Sequence, residues 1–205
     1  MASMKRSGAV VLAAALGWLG AVSMAWAHPL NPAASGFLSG FAHPWTGIDH
    51  LLAMVAVGIW AAQQGGRKIW LLPLLFVGGM LMGAALAWSG IALPWVEGAV
   101  AASVVVLGCL IASLTRLPLA FGAGLVGLMA VFHGHAHGTE TGTASQAVEL
   151  AAGFAVTTLL LHGIGIALGL ALSRGFGAHA ARGRLAYGLG GAAIATVGAA
   201  LLAGI

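Results

Sequence analysis

Most of the residues in this chain that could do chemistry lie in two short segments. The first is His43-Pro44-Trp45-Thr46-Gly47-Ile48-Asp49-His50, and the second is Phe132-His133-Gly134-His135-Ala136-His137-Gly138-Thr139-Glu140. Imidazole and carboxylate together suit divalent nickel, cobalt, zinc or copper(II), and softness alone does not choose among these metals. If the first segment is a continuous helix, His43 and His50 share a face at i and i+7, while Asp49 points elsewhere by more than a quarter turn. Asp49 then either ligates, should Gly47 distort the turn, or orients an imidazole from behind. Pro44 suits a first helical position, which makes His43 a candidate cap at the helix mouth. On a helix, His133, His137 and Glu140 line one face at i, i+4 and i+7, the histidine spacing of helical zinc sites, and His135 projects opposite. The one cysteine, Cys109, sits in an apolar run, so a disulfide framework and a thiolate metal site are both excluded.

The elements that must position these groups are dictated by composition. Of 205 residues 60% are hydrophobic and 6% charged, whereas a soluble domain carries about a quarter charged residues. Lipid must therefore be the solvent. The net charge of +4 rests on eight Lys/Arg against four acids, which is loop charge and too sparse for a nucleic-acid footprint. Lys5 and Arg6, the apolar Ala9–Val22 run and Ala25-Trp26-Ala27 read as a signal peptide over residues 1–27, whose cleavage leaves His28 as the mature N-terminus outside the cytoplasm. There His28 offers an α-amine and an imidazole as a chelating pair.

Residues 28–205 read as one all-α membrane bundle. Six hydrophobic runs approach the ~20 residues that a bilayer core requires: Gly47–Gln63, Ile69–Trp88, Trp95–Leu114, Leu119–His137, Gln146–Leu172 and Leu185–Ile205. They must be helices, because an open strand edge in lipid leaves backbone groups unsatisfied. Pro73, Pro94 and Pro118 are expected in opening turns. With the mature N-terminus outside, Arg67, Lys68, Arg116, Arg174, Arg182 and Arg184 all fall in inner loops and none in outer ones, the positive-inside pattern. Trp45, Trp70, Trp88 and Trp95 lie near span ends. Gly79/Gly83 and Gly165/Gly169 have the small-xxx-small spacing of close helix packing. Three plus three spans permit an inverted repeat, although the two halves share no convincing sequence match.

In this layout the polar residues collect on one side. Asp49, Glu97, Glu140 and Glu149 all lie at or beyond outer span ends, as do His28, His43, His50, His133, His135 and His137. His162 sits deeper, within an apolar stretch, where an ionisable group reads as a further station on a pathway. His179 falls in an inner loop. Met54, Met80, Met82 and Met129 read as core.

The two motifs and the six-span layout resemble the HupE/UreJ family of nickel/cobalt permeases. The resemblance runs the whole chain: signal sequence, spans, H-P-x-x-G-x-D-H from His43 to His50 and F-H-G-H-A-H-G-x-E from Phe132 to Glu140. It implies secondary uptake of nickel, or of cobalt, across the bacterial inner membrane to supply metalloenzyme assembly. It also implies metal binding by His43, Asp49, His50, His133, His135, His137 and Glu140. The metal is then cargo, with no resident cofactor, and the partners are that ion and membrane lipid. Two other classes use similar residues. An intramembrane metal-dependent hydrolase is disfavoured by the lack of H-E-x-x-H and of a rhomboid-like G-x-S-G. A haem-binding membrane cytochrome needs histidines at matched depths on separate helices, whereas most here are bunched in two segments. No P-loop is present, so ATP hydrolysis by that route is excluded and a transporter, not an enzyme, is expected.

Overall fold

A computed structural model describes residues 36–139 and 144–204. The expected signal peptide, His28 and Glu140 lie outside the described residues. Among those described, all regular structure is helical: α1 (Phe37–Ala42), a 3-10 turn (His43–Trp45), α2 (Ile48–Gln64), α3 (Lys68–Trp88), α4 (Val96–Ala112), α5 (Leu119–Thr139), α6 (Ala144–Phe176) and α7 (Ala181–Ala203).

The six long helices coincide with the six apolar runs, and their surface is that of a protein dissolved in lipid. Leu74, Met82, Phe121, Leu128, Leu185 and Leu189 all face outward. Helices that are apolar all round belong in a bilayer. α3, α5, α6 and α7 are each long and apolar enough to cross one, and the chain is a multi-pass membrane protein. α4, with 17 residues, is about 26 Å long and falls short of a ~30 Å hydrocarbon core. α2 also has 17 residues; it passes the length test only together with the Phe37–Trp45 segment, from which it bends by 82°.

Of the two forms open to the first motif, a continuous helix and one distorted at Gly47, the chain takes the second. Gly47 is extended, with φ −88° and ψ 113°, and it separates the 3-10 turn from α2. His43 accordingly lies inside the 3-10 turn, and the residue preceding α2 is Gly47, which has no side chain to cap with. Pro73 also departs from expectation: α3 begins at Lys68, which puts the proline inside the helix. Pro94 and Pro118 do precede their helices.

Glycine sets the helix pairing. A Cβ on Gly83 would overlap the Val131 carbonyl, and one on Gly134 the Met80 carbonyl, so α3 and α5 touch backbone to backbone. Gly58 and Gly165 do the same for α2 and α6, and Gly108 and Gly191 for α4 and α7. This is the close approach that small residues permit in membranes. The contacts advance together along α3 and α5 and along α2 and α6, so those pairs run parallel, while α4 and α7 run antiparallel. Exchanging α2-α3-α4 with α5-α6-α7 maps these three principal pairs onto themselves; the lesser contacts depart from that symmetry.

The core is Trp60, Leu72, Phe76, Met54, Met80, Leu107, Ile111, Leu161 and their neighbours. At one end of the bundle the polar groups of two loops are tied together. Gln64 Nε2 donates to the Thr115 carbonyl, the Leu117 N–H donates to Gln64 Oε1, and Lys68 Nζ donates to the Leu117 carbonyl. Arg116, His179 and Gln63 line one cavity there. The histidines of the two motifs gather at the opposite end.

Candidate metal site

The bend at Gly47 turns the first motif inward. Asp49 lies in the first turn of α2, where the exposed N–H groups and the helix dipole favour a negative charge. Its Oδ1 accepts from the His50 backbone N–H at 2.8 Å and from His50 Nδ1 at 2.7 Å. Of the two roles open to Asp49, the geometry displays orientation of an imidazole. Because an ionised carboxylate only accepts, a neutral imidazole here carries its proton on Nδ1 and has its lone pair on the buried Nε2. That Nε2 has no hydrogen-bond partner among the described residues.

α5 brings the second motif to the same place. His133 and His137, one turn apart, are both buried, and their rings flank that of His50, with ring centres 4.9 Å and 4.2 Å away. His43 completes the group, 5.1 Å from the His137 ring and 6.4 Å from that of His50. Phe154 of α6 walls it, with its ring centre 3.9 Å from that of His137 and 5.2 Å from that of His43. Four imidazoles from three segments thus form one cluster beside Phe154 of α6.

The remaining candidates separate. His135 projects from the other face of α5, as helical geometry requires, and its Nε2 donates to the Ile91 carbonyl in the α3–α4 connection at 2.8 Å. His162 of α6 is buried one layer further in, against Phe76, whose ring lies 5.1 Å from it and 5.5 Å from His133. Glu97 and Glu149 are exposed, and His179 is exposed in the α6–α7 loop at the basic end. Met54, Met80 and Met129 are buried core, as expected, whereas Met82 faces outward from α3, and the Thr158 hydroxyl lies within reach of the Met54 and Met80 sulfurs.

Side-chain satisfaction marks this pocket as special. Eight buried side-chain polar atoms lack a hydrogen-bond partner among the described residues, and all but Gln63 Oε1 are imidazole nitrogens, of His50, His133, His135, His137 and His162. A buried polar atom left unpaired costs about 1–3 kcal/mol. Four of them, His50 Nε2, His133 Nδ1 and both nitrogens of His137, belong to the cluster, and a soft-to-borderline cation is a ligand that uses such lone pairs. Among the described residues no three His, Cys, Asp or Glu side chains already stand in a geometry that could hold a metal ion. Three of the four ring pairs pack edge to face and the His50–His137 pair is tilted by 48°, so closing on an ion requires the rings to rotate.

Sequence reasoning passed over Ser103 and Phe154. Ser103 of α4 is buried, and its Oγ lies 2.9 Å from His133 Nε2. In sequence it is an isolated serine in an apolar run, and only the register of α4 against α5 reveals its partner.

Buried imidazoles held between helices at one end of an apolar bundle, several of their nitrogens unpaired among the described residues, define a class: a multi-pass helical membrane protein with a buried histidine cluster. A family model described as HupE / UreJ protein matches residues 15–201, and the chain belongs to that family. It is 46% identical over 182 residues to Protein HupE of Rhizobium leguminosarum bv. viciae, which covers 89% of this chain and 92% of that relative. No solved structure matches the chain.

Proposed function

We infer that the protein is a secondary transporter that imports a divalent transition metal, nickel or cobalt, across the bacterial inner membrane. The observation that carries this reading is the set of buried imidazole nitrogens on His50, His133 and His137, from two motifs far apart in sequence, that have no partner among the described residues and lie beside His43. Membership of the HupE/UreJ family supports it, and the resemblance supplies the choice of metal.

In this reading the chain crosses the bilayer six times after removal of residues 1–27, with the mature N-terminus and the histidine end in the periplasm. The segregation of the histidines from Lys68, Arg116 and the other basic residues supports that orientation. His43, His50, His133 and His137 replace the water shell of the incoming ion. Asp49 holds His50 and contributes the negative charge that offsets the cation's lost hydration. His28 and Glu140 add donors at the mouth. Past His133 the ion meets Phe76 and then His162, a station on the inward path. His135 secures the α3–α4 connection behind the site.

The test is uptake of radiolabelled nickel and cobalt by cells expressing the wild type, His50→Ala or His137→Ala at matched membrane abundance. Accumulation falls to background in both variants. Equal accumulation in all three rejects the reading.

A further inference from the structure

The second imidazole facing His50 is controlled from a helix that carries no histidine. Ser103 of α4 is 2% exposed, and its single hydroxyl hydrogen has two neighbours to satisfy. One is the Val100 carbonyl, 2.7 Å away, which can only accept; a helical serine commonly bonds back in this way. The other is His133 Nε2, 2.9 Å away. With the hydrogen spent on Val100, the contact to His133 forms only if Nε2–H donates to an Oγ lone pair. A neutral imidazole carries one N–H, so His133 Nδ1 must present a lone pair. That Nδ1 is buried and has no partner among the described residues.

We propose that Ser103 is a positioning residue: by accepting from Nε2–H it locks His133 in one tautomer and leaves Nδ1 as the metal-binding atom. Asp49 acts on His50 in the complementary sense, holding Nδ1–H and leaving Nε2 free for the cation. The two adjacent rings are therefore presented by different nitrogens, one held by a carboxylate and one by a hydroxyl. Without Ser103, His133 divides between tautomers, and the fraction able to bind through Nδ1 falls. This inference rests on the pocket being the metal site.

The experiment uses the purified full chain in detergent, labelled with 15N-histidine, together with calorimetric titration of Ni2+. In the wild type, the His133 resonances, identified by their loss in His133→Ala, carry the Nε2–H pattern. Ser103→Ala shifts them toward Nδ1–H and weakens nickel binding about 10- to 100-fold, the usual effect of losing a group that orients a ligand. Ser103→Thr, which keeps the hydroxyl, restores both. A wild-type His133 in the Nδ1–H form overturns the proposal without any variant, as does Ser103→Ala with wild-type affinity or a failure of Ser103→Thr to restore binding. If His50→Ala also binds nickel like the wild type, the metal reading itself has failed; if only His50→Ala loses binding, Ser103 alone has been assigned wrongly.

Discussion

The rings of His50 on α2 and His137 on α5 lie with their centres 4.2 Å apart, and neither nitrogen of His137 is paired among the described residues. In the proposed site both rings hold one ion, and their contributions are then not independent. Each single change, His50→Ala or His137→Ala, is expected to remove high-affinity Ni2+ binding, and the double variant to be no weaker than either. Additive losses in calorimetric titrations would mean that the two rings serve different ions.

Asp49 touches the site through His50. Asp49→Ala is therefore expected to weaken nickel binding about 10- to 100-fold without abolishing it. Asp49→Asn, whose carbonyl still accepts from Nδ1–H, should fall between that variant and the wild type. Complete loss in Asp49→Asn would identify the carboxylate as a direct ligand.

His135 provides the contrast. Its Nε2 is committed to the Ile91 carbonyl on the opposite face of α5, although the family resemblance implies a metal role for it. His135→Ala should keep nickel affinity close to that of the wild type while loosening the α3–α4 connection, read as faster amide exchange at residues 89–95. An affinity loss matching that of His137→Ala would place His135 among the ligands.

α3 supplies its own control for the packing argument. A Cβ at Gly83 meets the Val131 backbone, whereas one at Gly78 meets nothing within 4 Å. Gly83→Ala should destabilise the detergent-solubilised protein by about 1–3 kcal/mol, as overpacking does. Gly78→Ala should change it by less than about 1 kcal/mol, in the stabilising direction of helix propensity. Equal melting temperatures for the two variants would refute the close approach of α3 and α5.

Membrane delivery can be checked chemically. Edman sequencing of the protein recovered from membranes is expected to begin at His28. A retained Met1 segment would replace the cleaved leader by a signal anchor and leave no free His28 amine for a cation.

Much of this was legible without coordinates because it follows from local physics. Six helices appear where six apolar runs stand, since a backbone in lipid must satisfy itself within each segment. The face shared by His133 and His137, and the opposite projection of His135, follow from 3.6 residues per turn. What spacing could not supply was the break at Gly47, because a glycine permits an extended link without announcing one. That link carries an 82° bend and sets the angle at which His43 and His50 enter the bundle. Nor could it supply Ser103, since a lone serine among alanines and valines acquires meaning only when α4 is laid against α5. Local sequence determined the helices and which imidazoles share a face. Tertiary packing, set by glycine contacts between helices distant in the chain, decided which imidazoles meet and which nitrogen of each is left for a cation.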